Sequence, residues 1–171
     1  MEGMIIINVG KCMGCKSCEL ACAVAHSSTK DLNSLVNIEE KPGYRIHVVA
    51  YEHNAVPVHC NHCDDAPCML VCPTGAIYRE GEKGPVLLDN ARCIGCKMCV
   101  QACPFGVITI KLDGKGVLKC DLCMERLTEG QDPACVAACP TNALIFSDEK
   151  QMNYAKRLKA AGLLVSAQEE V

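Results

Sequence analysis

Residues 92–104 read Arg-Cys-Ile-Gly-Cys-Lys-Met-Cys-Val-Gln-Ala-Cys-Pro. Cys93, Cys96, Cys99 and Cys103 fall in the spacing C-x2-C-x2-C-x3-C, and Pro104 follows the last of them. The same spacing occurs upstream at Cys12, Cys15, Cys18 and Cys22, where Lys11–Cys22 echoes Arg92–Cys103. A second set, Cys60, Cys63, Cys68 and Cys72, has the spacing C-x2-C-x4-C-x3-C. The fourth, Cys120, Cys123, Cys135 and Cys139, has C-x2-C-x11-C-x3-C. These four sets account for all sixteen cysteines of the 171 residues.

The spacing C-x2-C-x2-C-x3-C-P is how a chain wraps a cubane [4Fe–4S] cluster: three thiolates come from one tight loop, and the fourth reaches another cluster. A proline after the last cysteine stops the helix that carries it. Pro73, Pro104 and Pro140 do this for three sets, whereas Ala23 follows Cys22 and lets that helix run on to about His26. The segments 65–73 and 132–140 also match each other, and three stretches share Cys-Pro-x-[Gly/Asn]-[Ala/Val]-[Ile/Leu] from Cys72, Cys103 and Cys139. Repeats of this kind suggest duplication of a two-cluster ferredoxin. Neither a disulfide framework nor a scatter of zinc knuckles requires them. Zinc with four cysteine ligands is the main competing reading, but it more often takes two ligands from each of two separated knuckles. The chain is therefore read as an electron-transfer protein carrying four [4Fe–4S] clusters, each held by four cysteines.

Composition agrees. Half of the residues are apolar, yet there are only two Phe, four Tyr and no Trp, so something other than large rings must fill the core. The formal charge is −3. Sixteen thiolates and four oxidised cores would take it to about −11, which argues against nucleic acid and favours a basic patch on a protein partner. Met1–Gly10 lacks a basic segment followed by a long apolar run, and no twin-arginine signal is present in the chain, so a cytoplasmic location is expected. No run approaches the roughly 18–20 apolar residues of a membrane span.

The coarse trace begins with strands at Ile5–Val9, Arg45–Tyr51 and Val86–Leu88, and a hairpin of Val107–Leu112 with Val117–Lys119. Helices are expected at Cys18–His26, Pro67–Val71, Leu122–Thr128 and Ala134–Ala138, with an irregular stretch over Ser27–Tyr44. Lys150–Leu164 reads as an amphipathic helix with Met152, Ala155, Leu158 and Leu163 on one side, suited to packing on its own domain or to docking a partner. The expected fold class is α+β: two ferredoxin-like, two-cluster halves in a pseudo-twofold arrangement, with short hairpins, short helices and a C-terminal helix.

Two pairings of the sets fit the repeats. The first set pairs with the second and the third with the fourth, or else the second and third nest between the first and fourth. The short gap from Cys72 to Cys93, against the long one from Cys22 to Cys60, leans towards nesting. In order and spacing, the four sets resemble the four-cluster ferredoxin subunits of the dimethyl sulfoxide reductase and formate dehydrogenase type, over nearly all of Lys11–Phe146. That resemblance implies nesting. One cluster takes Cys12, Cys15, Cys18 and Cys139, and its neighbour Cys120, Cys123, Cys135 and Cys22. A third takes Cys60, Cys63, Cys68 and Cys103, and the fourth Cys93, Cys96, Cys99 and Cys72. It also implies an outer half of residues 1–59 and 104–149, an inserted inner half of 60–103, and a C-terminal helix and tail at 150–171.

The stretch Cys18–Leu32 further resembles the electron-transfer subunit that accompanies carbon monoxide dehydrogenase; similar subunits serve tungsten or molybdenum aldehyde or formate oxidoreductases and some hydrogenases. The implied partners are a large catalytic oxidoreductase subunit and a redox partner such as a ferredoxin, hydrogenase or flavoprotein. A free soluble polyferredoxin is the alternative, and a structural zinc module a weaker one.

His59 and His62 flank Cys60 and are candidates to donate N–H bonds to cluster sulfur. His26 is read as a cap or a partner contact, and Lys16 and Lys97 as charges near the clusters or solvated side chains. Gly14 and Gly95 allow the backbone to pass close to a cubane, and Asp64 and Asp65 are read as turn and helix-start residues. No phosphate loop, dinucleotide fingerprint or nucleophile–base pattern is present. Catalytic residues are thus expected to be none, the chain acting as a subunit without its own substrate site.

Overall fold

The computed structural model describes residues 3–35 and 42–169. In chain order the elements are β1 (Met4–Ile7), a 3-10 turn at Val9–Lys11, α1 (Ser17–Ala25), α2 (Leu32–Leu35), β2 (Ile46–Tyr51), β3 (Asn54–His59) and α3 (Pro67–Leu70). There follow β4 (Ile77–Arg79), β5 (Val86–Leu88), α4 (Met98–Ala102), β6 (Thr109–Ile110), β7 (Val117–Leu118), α5 (Met124–Thr128), α6 (Ala134–Ala137), β8 (Leu144–Ser147) and α7 (Glu149–Glu169). The result is a small mixed α/β protein of short strands and short helices, ferredoxin-like in character.

Local chemistry accounts for most of these elements. Pro67 opens α3, where a missing N–H costs nothing. In the β6–β7 turn the Asp113 carboxylate accepts the Lys115 backbone N–H at 2.9 Å, and Gly114 supplies a φ of +70°. β1 ends at Ile7, two residues before the expected Val9, because Val9–Lys11 already winds into the Cys12 loop. The β6–β7 ladder covers only two residues per strand, shorter than expected. Within the stretch expected to be irregular, Leu32–Leu35 forms one helical turn, with the Asp31 carboxylate accepting the Ser34 N–H at 2.8 Å. Residues 36–41 of that stretch lie outside the described residues.

The strands form four separate two-stranded antiparallel sheets: β1–β8, β2–β3, β4–β5 and β6–β7. Three are local hairpins. The fourth joins the two ends of the cysteine region, with Met4 opposite Ser147 and Ile7 opposite Leu144. Residues 144–147 were not expected to be a strand at all.

Two apolar cores form, and cysteines are part of both. The first gathers Ile5, Cys18, Cys22, Ile46, Leu127, Cys135 and Leu144, with Cys139 packed against it. The second gathers Ala66, Cys68, Ile77, Val86, Cys99, Ile108 and Val117, with Cys72, Cys93 and Cys103 against it. α7 runs from Glu149 to Glu169, further than the expected Lys150–Leu164; residues 170–171 of the tail lie outside the described residues. Leu158, expected on a packed side of that helix, is 56% exposed. Among the described residues no helix is long and apolar enough to cross a membrane.

Candidate metal centres

All four cysteine loops share one backbone device. The residue two positions after the first cysteine is left-handed in every set: Gly14 at φ +72°, His62 at +48°, Gly95 at +69° and Leu122 at +59°. This turns the chain sharply, so that neighbouring thiols converge on one side. At His62 and Leu122 a Cβ makes that conformation unfavourable by roughly 1–3 kcal/mol each. The same two residues donate their backbone N–H to the first sulfur of the loop, His62 to Cys60 Sγ and Leu122 to Cys120 Sγ, each at 3.4 Å. A glycine at 95 is also needed for space, since a Cβ there would lie 2.9 Å from the Lys115 carbonyl oxygen.

Three cavities collect the thiols. One is lined by Cys12, Cys15, Cys18 and Cys139. Another is lined by Cys60, Cys63, Cys68 and Cys103, and a third by Cys72, Cys93, Cys96 and Cys99. Cys22 and Cys135 belong to the first core, and Cys123 lies close to both. Burial pushes the Cys123 thiol up to about 11, and a Cys22 thiolate nearby adds to the rise. Burial pushes Cys135 up as well, helped by Cys123 and Cys22. Cys120 is likewise raised by burial, and next by its proximity to Cys60 and Cys135.

These donor sets fit iron–sulfur cores. All sixteen thiols are free, and no disulfide competes for them. Four cysteine sulfurs line each of these three cavities, a donor set that suits iron–sulfur ligation and disfavours hard cations. Burial makes Cys18, Cys123 and Cys135 resist ionisation on their own, and a bound cationic core would supply the charge that lets them become thiolates. The cavity linings name which residues would hold each core, and bound clusters would supply one-electron storage. Further N–H groups already aim at sulfur: Arg45 donates its backbone N–H to Cys22 Sγ at 3.3 Å, and Ala143 donates to Cys139 Sγ at 3.2 Å. Such bonds favour the electron-rich sulfur of a reduced cluster.

The flanking residues divide. His26 caps α1 as expected: Nδ1 donates to the Cys22 carbonyl at 2.7 Å, and Nε2 meets Asp121 at 3.0 Å. Burial opposes charge on this imidazole, but bonds to Asp121 and Cys22 lift its pKa to about 9. His59 Nδ1 bonds the Cys60 carbonyl at 2.8 Å, and His62 Nδ1 lies 3.1 Å from the Val86 backbone. In each ring the backbone takes Nδ1, while both Nε2 atoms are buried without a partner among the described residues. Lys16 and Lys97 are exposed, in keeping with a solvated role, and both adopt a left-handed φ ahead of α1 and α4. Asp64 and Asp65 sit in the turn before α3, but the N-cap position falls to Ala66, and no side chain caps the helix.

Sequence reasoning missed Asp121 and Lys119. Lys119 is 3% exposed. It follows Val117 by two positions, and strand alternation was the available signal that both point inward.

Residues 51–149 match the model of a family described as a 4Fe-4S dicluster domain, and residues 10–25 match a 4Fe-4S binding domain. The electron transport protein HydN of Escherichia coli K12 is 40% identical over 179 aligned positions, covering 94% of this chain and 98% of HydN. An iron-sulfur protein of Rhodospirillum rubrum is 43% identical, over 85% of this chain and 82% of its own. The thiosulfate reductase electron transfer subunit PhsB of Salmonella typhi is 41% identical, over 83% of this chain and 74% of PhsB. With sixteen cysteines in ferredoxin-like loops, this chain belongs to the 4Fe-4S dicluster family, as an iron–sulfur electron-transfer subunit that binds multiple [4Fe–4S] clusters.

Proposed function

We propose that the chain carries four [4Fe–4S] clusters in the nested arrangement and serves as the built-in wire of a larger oxidoreductase. The observation that carries this reading is the composition of the three cavities: each takes three thiols from one set and its fourth from another. Cys139 lines the cavity of the first set although it lies 117 residues beyond Cys22, which supports nesting over sequential pairing. The antiparallel pairing of β1 with β8 supports an outer half closed around an inner one. The two separate cores support two ferredoxin-like halves, with Ile108 and Val117 packed on the inner side, and the internal repeats support a pseudo-twofold relation between them.

In this reading the residues have distinct tasks. The left-handed loop positions aim the thiols. Backbone N–H groups at Cys22, Cys60, Cys120 and Cys139 stabilise added negative charge on sulfur. Substrate chemistry resides in a partner subunit, and this chain has none of its own. Relatives bearing names such as thiosulfate reductase electron transfer subunit and probable anaerobic dimethyl sulfoxide reductase chain support a large reductase or dehydrogenase as that partner.

Anaerobic purification from the native source is expected to yield a stable complex with one large subunit. Its metal identifies the chemistry: nickel for a carbon monoxide dehydrogenase or hydrogenase, tungsten or molybdenum for an aldehyde or formate oxidoreductase. A brown protein arriving alone at every step would instead make it a diffusible carrier.

A further inference from the structure

Lys119 is the one charged side chain buried among the described residues. Its ammonium donates to the Val86 carbonyl, to the Cys120 carbonyl at 3.2 Å and to Cys60 Sγ at 3.4 Å. A cation cut off from water needs negative charge beside it. Among the described residues no carboxylate lies within ion-pair distance of Lys119; the ion pairs there involve His26, Lys30 and Arg92 instead. What faces the ammonium is sulfur and two carbonyl oxygens.

The position is equally specific. Cys60 and Val86 belong to the second core's side of the molecule, and Cys120 opens the fourth cysteine set. Lys119 therefore spans the seam between the second and fourth sets, where Cys60 and Cys120 approach each other. Its charge also reaches Cys68 and His62. Lys16 and Lys97, the lysines inside cysteine loops, are exposed and act through water.

We propose that Lys119 is a positioning residue for electrons: a fixed positive charge that selectively raises the reduction potential at the Cys60, Cys63, Cys68 and Cys103 site. This inference rests on the four-cluster reading above. The redox step is simple. An external one-electron donor reduces that site by one electron, which adds one negative charge around Cys60. The ammonium and its hydrogen bond stabilise that charge, and no bond or proton is exchanged at Lys119. The electron thereby pauses at the seam between the two halves.

The test uses the full chain, reduced stepwise with dithionite and followed by electron paramagnetic resonance, with iron counted in each sample. Lys119→Met removes the charge at similar volume, and Lys119→Arg keeps it. Lys119→Met is expected to retain its iron but to make one site at least tenfold harder to reduce at a fixed ambient potential, about 59 mV for one electron. Lys119→Arg is expected to restore most of that shift. Full iron content with every midpoint unchanged in Lys119→Met overturns the role of Lys119 and leaves the four-cluster reading intact. A wild-type preparation that holds no iron overturns both. A second measurement covers a Lys119→Met protein that does not fold. On wild-type chain labelled with 15N-lysine, electron–nuclear double resonance is expected to find lysine nitrogen coupled to one reduced site, and to lose that coupling in Lys119→Arg. No lysine coupling at any reduced site contradicts the proposal.

Discussion

Stripping iron from the chain is expected to abolish its cooperative fold. The reason lies in what fills the core. Cys18, Cys22, Cys60, Cys68, Cys99, Cys123 and Cys135 are themselves buried core residues. The rest is supplied by small side chains such as Ala66, Ala76 and Ala143, and a few aliphatics such as Ile46, Val86 and Leu144. The sheets have two strands each, and pairs of that size are marginal alone. Helices α1 to α6 have at most nine residues, too few to persist without tertiary support. Without iron and sulfide, the clustered thiols are left facing one another, several of them pushed upward by burial. Metal binding then supplies much of the folding free energy, as in other small metal-dependent domains. Chain treated with chelator and oxidant is expected to lose most of its far-ultraviolet signal outside the α7 contribution, and to show no cooperative melt. A stripped chain that keeps its circular dichroism and melts cooperatively would mean that the protein scaffold alone is sufficient.

The second large effect concerns Cys22. In the nested arrangement Cys22→Ser damages the site of Cys120, Cys123 and Cys135, although Cys22 lies 98 residues before the first of them. Serine keeps the shape but replaces a soft thiolate by a harder, more basic oxygen, so the affected site is expected to convert to a three-iron form or shift strongly in potential. Mössbauer spectra of the variant are expected to lose one cubane signal and keep three. Combining Cys22→Ser with Cys135→Ser should add little, because both strike the same site. Sequential pairing predicts the opposite: the double variant would lose two sites, and the Cys60 and Cys63 site would respond to Cys22→Ser alone.

Cysteine spacing carried most of what the sequence disclosed, because the ligand loops are local. Two or three residues between thiols, a glycine at 14 or 95 and a proline after the last cysteine are read within one loop. The family and its clusters followed from those loops. What escaped was non-local. β8 is four residues long, reads Leu-Ile-Phe-Ser, and finds its partner β1 at the other end of the cysteine region. No local pattern announces such a pairing. The orientation of the histidine rings was equally out of reach. His59 and His62 spend one ring nitrogen on the backbone, and proximity to cysteine in sequence says nothing about which way a ring turns. Lys119 was overlooked because a lysine beside a loop is usually solvated; its burial depends on Val86 and Cys60, both distant in sequence.

The number of clusters is read from iron and acid-labile sulfide per chain in anaerobically purified protein, with Mössbauer spectroscopy of the same sample. The account predicts sixteen iron and sixteen sulfide per chain, all in cubane environments, one core for each of the four cysteine quartets. Eight of each, or zinc in place of iron at any quartet, would contradict it.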